Sequence, residues 1–482
     1  MGAIMSELRG IEFEAKQLGD FEPIVGAPAV REATRIAERL RERFAGRVFW
    51  NVNTTAVGGG VAEMLQSLLR YSRGAGIDTR WLIMRGNDEF FHLTKRLHHA
   101  LHGSAGDGSP LGEREREIYE AVAEENAQEI GACIRPRDLV LLHDPQTAGM
   151  APHLMRAGAI VIWRCHIGAD RPSPEAERGW RFLEPYLEGV PALVFSRQGY
   201  APDFCDHGRS TIIQPSIDAF APKNRELDEA TIRTVLVHTG LVEGPPPDPP
   251  SHTFERSDGS PGRVERRADV VRLGRAPTWD APLVVQISRW DPLKDMEGVM
   301  EGFARLCGAG GTDGPQLVLA GPNVSAVADD PEGGAVFDDV FAAWRALPHG
   351  IRQRIHLAAL PTADVDENAI IVNALQRHAS VIVQKSLKEG FGLTVTEAMW
   401  KGRPVLASAV GGIQDQIEDG VSGVLLRDPS DLDAFAEALR DLLEHPEEAR
   451  RIGEAARERV RKHFLGVRHL VQYADLFERL DV

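Results

Sequence analysis

Hydrophobic positions along this chain fall into short, nearly unbroken runs separated by longer amphipathic stretches. Arg47–Asn51, Thr79–Met84, Asp138–Leu142, Ile160–Arg164 and Ala192–Phe195 form one series of runs. Leu283–Ile287, Gln316–Ala320, Ile355–Leu357, Val381–Val383 and Pro404–Ala407 form a second. Runs this short read as strands buried on both faces, and the intervening Val61–Arg70, Glu113–Ile130 and Glu367–Gln376 read as helices. Their alternation predicts an α/β protein of two Rossmann-like domains, each a parallel sheet with helices on both faces, facing each other across a cleft. The expected boundaries are 1–220 and 221–460, with 461–482 as a C-terminal helix that packs back on the first domain. Residues 240–280, with Gly244-Pro-Pro-Pro-Asp-Pro-Pro250 followed by Ser-, Gly- and Arg-rich sequence, predict a flexible insertion without a packed core.

Composition narrows the class. A chain of 482 residues, 43% hydrophobic and 26% charged, is an ordinary soluble protein of two or three domains. Its formal net charge of -16 disfavours nucleic acid and anionic membrane as partners, while leaving room for a local cationic pocket. Cys133, Cys165, Cys205 and Cys307 lack C-x-x-C spacing, which disfavours a zinc site or disulfide framework. Glu7, Glu12 and Glu14 stand where a signal peptide needs apolar residues, so a cytoplasmic location is expected. The expected partners are small molecules, and a homodimer is compatible with the sequence.

The most telling segment is Lys388-Glu-Gly-Phe-Gly-Leu-Thr-Val-Thr-Glu397. It follows the apolar run Ser380–Gln384, turns on Gly390 and Gly392, and enters a helix over Leu393–Trp400. Free backbone N–H groups at such a turn, with the helix dipole, form an anion site. Carboxylates on either side of it suit a ligand bearing hydroxyls at both ends, such as a nucleotide sugar. Arg289 and Lys294 follow the strand Leu283–Ile287 and can grip a diphosphate, although taken alone they read more readily as solvated surface cations.

Gly58-Gly59-Gly60 opens a helix after the first strand and is either a plain tight turn or a loop close to a ligand. Neither it nor Gly390-Phe-Gly392 completes the dinucleotide fingerprint, which weakens a dehydrogenase reading. His166 and the pair His143-Asp144 stand at neighbouring strand ends. With Arg164 they offer the hydrogen-bonding groups that a sugar acceptor needs, a structural histidine being the rival reading. Asp364-Val-Asp366 precedes a helix and is expected to cap it rather than bind metal. His98, His99 and His102 lack a carboxylate or cysteine partner at ligand spacing.

Glu389-x7-Glu397 with Arg289 and Lys294 resembles the retaining glycosyltransferases of the GT-B fold, in family 4. Asn51-Val-Asn-Thr-Thr-Ala-Val-Gly-Gly-Gly-Val-Ala-Glu63, Phe90–Lys95, Leu142–Gln146 and Trp163–His166 narrow the resemblance to the trehalose glycosyltransferring synthases and related trehalose phosphorylases. The resemblance implies transfer of glucose from a nucleotide-glucose (ADP- or UDP-glucose) to glucose, giving trehalose with retention, without a required cofactor or metal. It implies that Arg289 and Lys294 hold the diphosphate, approached by Gly59 and Gly60. Glu397 would take the ribose and Glu389 the glucosyl hydroxyls, with Gly390, Phe391 and Gly392 turning the chain so that the N–H groups of Leu393 and Thr394 meet phosphate. His166 would lie beside the transferred sugar, and Asn53, Asp144 and Arg164 would receive the acceptor. Two alternatives stay open: a retaining trehalose phosphorylase using glucose 1-phosphate, and a non-catalytic sugar-nucleotide-binding protein.

Overall fold

Period-two alternation along the strands sends successive side chains into different cores. In the computed structural model, which describes residues 9–56, 59–205, 208–308, 314–323 and 331–480, the chain divides into two units. One comprises Met1–Ile217 with Phe464–Val482, the other Asp218–His463.

The first unit holds β1 (Arg9–Ile11), β2 (Phe49–Asn53), β3 (Thr79–Ile83), β4 (Leu139–His143), β5 (Ile160–Cys165), β6 (Ala192–Phe195) and β7 (Ser210–Ile212). They form one sheet in the order β1-β3-β2-β4-β5-β6-β7, parallel except for the antiparallel edge strand β1. Trp50, Val140, Leu142 and Trp163 pack on one face with Phe90, Tyr119 and Phe182. Phe49, Leu141 and Ile162 pack on the other with Ile36 and Leu40 of the helix Ala27–Arg43, and with Tyr473 and Phe477 of the helix Gly466–Arg479.

The second unit holds β8 (Thr253–Glu255), β9 (Pro261–Arg263), β10 (Asp269–Val271), β11 (Leu283–Ile287), β12 (Gln316–Pro322), β13 (Ile355–Leu360), β14 (Val381–Gln384), β15 (Val405–Ser408) and β16 (Val424–Leu426). Its main sheet runs β10-β13-β12-β11-β14-β15-β16, with β10 antiparallel and the rest parallel. In both sheets the chain order reverses once, between β2 and β4 and between β11 and β14. At such a reversal the loops leave in opposite directions, and a ligand crevice opens beyond the strands' carboxyl ends.

Residues 240–280 depart from expectation. They contain the hairpin β8–β9 and the edge strand β10, and they are tied to the helix Val365–His378. The Arg256 guanidinium donates to Asp364 (2.8 Å), Ser257 N to Asp366 (3.0 Å), and the backbone N–H groups of Glu265 and Arg266 both donate to the buried Glu367 carboxylate (2.7 Å each). Three acidic groups at a helix start thus replace the apolar core that composition denies this segment. Asp364 also caps the helix, accepting from the N–H groups of Asp366 and Glu367, as its position predicts.

Candidate functional site

Two sets of polar side chains gather at the chain reversals, one in each unit. In the second unit, β11 leads to Arg289 and Lys294, and β14 leads to Lys385 and Glu389. Lys294 Nζ donates to Glu389 Oε2 at 2.6 Å, and Ser386 Oγ lies 3.2 Å from the same oxygen. Gln286, fully buried within β11, fastens the two strand ends together. Its amide nitrogen donates to the Lys294 carbonyl (2.7 Å) and its amide oxygen accepts from Lys385 N (3.0 Å). Lys385 pairs with Asp295, a left-handed residue (φ 50°) whose other oxygen caps the helix Met296–Cys307. Gln286, Lys385 and Asp295 were not among the expected site residues. The available signal was a lone polar residue in the apolar run Leu-Val-Val-Gln-Ile.

Gly392 has φ 82° and precedes the helix Leu393–Trp400, whose first turn, at Leu393 and Thr394, receives no side-chain cap. A Cβ there would stand 3.0 Å from Ile413 Cγ1 and 3.2 Å from Glu389 Cγ, so glycine is required both by conformation and by the closeness of Glu389. Gly390 O accepts from Gly412 N (3.0 Å), and Phe391 is buried between them. Glu397, one helical turn further in, is buried and paired with Lys223 (3.3 Å). Lys401 follows it by four residues. Burial draws its ammonium down to about 7, opposed by the Glu397 charge. Arg289 stands at the same strand end as Lys294. Its guanidinium meets Asp291 at 3.2 Å and is 64% exposed, open to a ligand from solvent.

In the first unit, β4 and β5 bring His143, Asp144 and His166 together. Asp144 is left-handed (φ 66°), and its Oδ1 accepts from His166 N at 2.8 Å. Burial pushes the Asp144 carboxyl up to about 7, against the His166 N–H bond and the Arg164 charge. His143 Nδ1 lies 3.2 Å from His166 Nε2, and His143 Nε2 lies 3.3 Å from Asn51 Oδ1. Burial holds both imidazoles well below their ordinary range, with Arg164 adding to the effect, so both are neutral near pH 7. An amide oxygen only accepts, so His143 carries its proton on Nε2 and His166 carries its own on Nε2. His166 Nδ1 is left as a hydrogen-bond acceptor, the form that can receive a sugar hydroxyl.

Two further expected acceptor residues are Arg164 and Asn53. Arg164 is fully buried on the face of β5 opposite Trp163. It donates to His469 (2.8 Å), the Tyr473 hydroxyl (2.6 Å) and Ile213 O (3.1 Å), and so fastens the C-terminal helix to the sheet. Asn53 is buried and spans Trp81 Nε1 (2.7 Å) and Thr55 O (2.7 Å), shaping the loop after β2. Gly59, at φ 82°, opens the helix Gly60–Gly74 and both glycines are exposed; Gly58 lies outside the described residues. Among the described residues no group of three or more His, Cys, Asp or Glu could hold a metal ion. None of their helices is long and apolar enough to cross a membrane.

Comparisons with known proteins show the family and the fold. Residues 51–202 match a family described as trehalose synthase, N-terminal domain, and residues 277–459 match glycosyl transferases group 1. The chain is 35% identical to a trehalose synthase of Pyrococcus horikoshii, over 99% of this chain and 100% of that one. It is 25% identical to a trehalose phosphorylase of Pleurotus pulmonarius, over 92% of this chain but 58% of that longer protein. A solved α,α-trehalose-phosphate synthase (UDP-forming) from Burkholderia xenovorans shares the fold, with a TM-score of 0.64, 16% identity, and coverage of 91% and 100%. The architecture is GT-B.

Proposed function

The chain belongs to the trehalose glycosyltransferases, and from that premise we propose that this hexosyltransferase moves glucose from a nucleotide-glucose to free glucose, forming trehalose with retention. The observation that carries the reading is the Lys294–Glu389 pair at the reversal between β11 and β14. A cation for phosphate and a carboxylate for sugar hydroxyls stand side by side, held by Gln286 from below. A phosphate needs a point charge with several donors, and the Lys294 ammonium keeps two N–H groups after meeting Glu389. Arg289 adds a planar fork to the diphosphate, and the uncapped N–H groups of Leu393 and Thr394 add dipoles. Glu397, held by Lys223, takes the ribose hydroxyls.

As the glycosidic bond breaks, charge accumulates on the departing diphosphate, and Lys294 and Arg289 stabilise it where it develops. The departing phosphate oxygen takes the acceptor's hydroxyl proton on the same face of the sugar, so configuration is kept without the carboxylate pair of a glycosidase. His166 accepts a hydroxyl of the transferred glucose through Nδ1, and Asp144 receives the acceptor glucose.

The test is a donor screen. ADP-, UDP- and GDP-glucose and glucose 1-phosphate are each supplied with glucose, and trehalose, nucleoside diphosphate and phosphate are measured. Trehalose with an equal amount of nucleoside diphosphate is the expected result. Trehalose and phosphate from glucose 1-phosphate alone would replace this reading with a phosphorylase, and binding of nucleotide-glucose without any trehalose would replace it with a sensor.

A further inference from the structure

A cavity lies in the first unit, on the sheet face away from Trp50 and Trp163. Along this face Phe49 is followed by a level of Asn51, Leu141 and Ile162, and then by His143 and Arg164 at the carboxyl ends of β4 and β5, where the Asn51 amide reaches His143. The cavity, of about 60 Å³, spans these levels beneath the helices Ala27–Arg43, Gly60–Gly74 and Gly466–Arg479. Its walls are aliphatic for most of their extent, with Ala37, Leu40, Leu65 and Leu68 from the helices.

The polar end holds two unmet donors. Asn51 Nδ2 and Arg164 Nε are buried and have no hydrogen-bond partner. The acceptors that Arg164 does reach are an imidazole, a phenol and a backbone carbonyl, all neutral, and it takes part in no ion pair among the described residues. A buried guanidinium without an ion-pair partner is costly, and so is each buried N–H without an acceptor. A water can meet such N–H groups at the polar end, but it leaves the guanidinium charge unpaired and the aliphatic walls dry.

From this we infer that the cavity binds a small carboxylate with a short apolar tail, its oxygens taking the donors of Asn51 and Arg164 and its carbons lying along Leu65 and Leu68. The volume fits, since one water-sized group needs roughly 10–15 Å³ on this measure, leaving room for a head and a few carbons. Such a ligand lies one histidine away from the candidate site, because His143 lines the cavity and touches His166. The inference is independent of which sugar donor the chain uses.

Calorimetric titration of the full chain with sodium butanoate, and separately with 1-butanol, is the experiment. Butanoate should bind, and about tenfold or more tighter than the alcohol, because only the carboxylate meets the guanidinium. Ala37→Leu and Leu68→Phe, which fill the cavity from two helices, should each abolish butanoate binding. Absence of binding at about 10 mM, equal binding of the alcohol, or unchanged binding in a folded cavity-filling variant would each overturn the inference. Should neither variant fold, the comparison of acid with alcohol on the unaltered chain still decides.

Discussion

Lys294 and Glu389, ninety-five residues apart in sequence, form a half-buried ion pair of 2.6 Å at the point where the second sheet reverses its chain order. Each side chain comes from the carboxyl end of a different strand, and the amide of Gln286 holds both ends in register. The pair keeps a cation and an acid fixed beside each other before any ligand arrives. On the proposed reading a nucleotide-glucose would meet a prepared site, its phosphate drawn to Lys294 and its sugar hydroxyls donating to Glu389.

Glu389→Gln separates these roles. The amide keeps the size and still accepts from Lys294, but it loses the charge that orders sugar hydroxyls. We expect nucleoside diphosphate affinity within about threefold of the unaltered chain and a fall in kcat of roughly 100-fold or more. Calorimetry with nucleoside diphosphate and initial rates with nucleotide-glucose check the two halves. A parallel loss in both would mean that Glu389 serves only to position Lys294.

Gly392→Ala tests the tight approach of the turn to Glu389. A left-handed φ of 82° costs an alanine about 1–2 kcal/mol, and its Cβ would press on Ile413 and Glu389. Thermal unfolding should show a modest loss of stability, and turnover should fall by more than that loss explains. Retention of full activity would detach the glycine from the site.

Asp144→Asn isolates a pH effect. The folded carboxyl titrates near 7, above its ordinary value of 3.8, because burial disfavours its charge. The folded chain therefore keeps a proton that the unfolded chain releases between these values. This contribution is complete below about pH 4 and is lost as pH rises through 7. Asparagine tolerates the left-handed backbone, can still accept from His166 N, and does not titrate. Urea unfolding at several pH values should show the unaltered chain losing stability relative to the variant between about pH 4 and 7, with parallel curves as the contrary result.

Glu367→Ala addresses the 240–280 segment. Its carboxylate receives two backbone N–H groups and the Arg266 side chain, so its removal leaves donors of the segment without partners. Hydrogen exchange should accelerate across 253–271 while β11 and β12 keep their protection. Uniform exchange would show that the segment is held by other means.

Much of this architecture is legible in sequence because buried parallel strands must be apolar and must end in turns. The runs at Leu283–Ile287 and Val381–Val383, and the glycines after Ser380–Gln384, placed Lys294 and Glu389 at neighbouring strand ends. The partners of Arg164 follow from its face of the strand as well as from its place at a strand end. Ile162 and Arg164 share one side of β5, so alternation already directs Arg164 towards the C-terminal helix and away from the side of Trp163 and Cys165. Gln286 escaped notice because a single amide scarcely changes an apolar run, although a buried amide demands partners on both its atoms. The 240–280 segment was illegible for a different reason. Its order comes from carboxylates about a hundred residues later, a long-range polar contact that local composition does not encode.

The most direct measurement of the central claim is calorimetric binding of nucleotide-glucose to the unaltered chain and to Lys294→Met, with thermal unfolding of both as the control for folding. Loss of the charged donor should weaken binding by roughly 2–3 kcal/mol, or about 30- to 150-fold, and abolish trehalose formation while the fold persists. Equal affinity and undiminished turnover in a folded Lys294→Met chain would contradict the account.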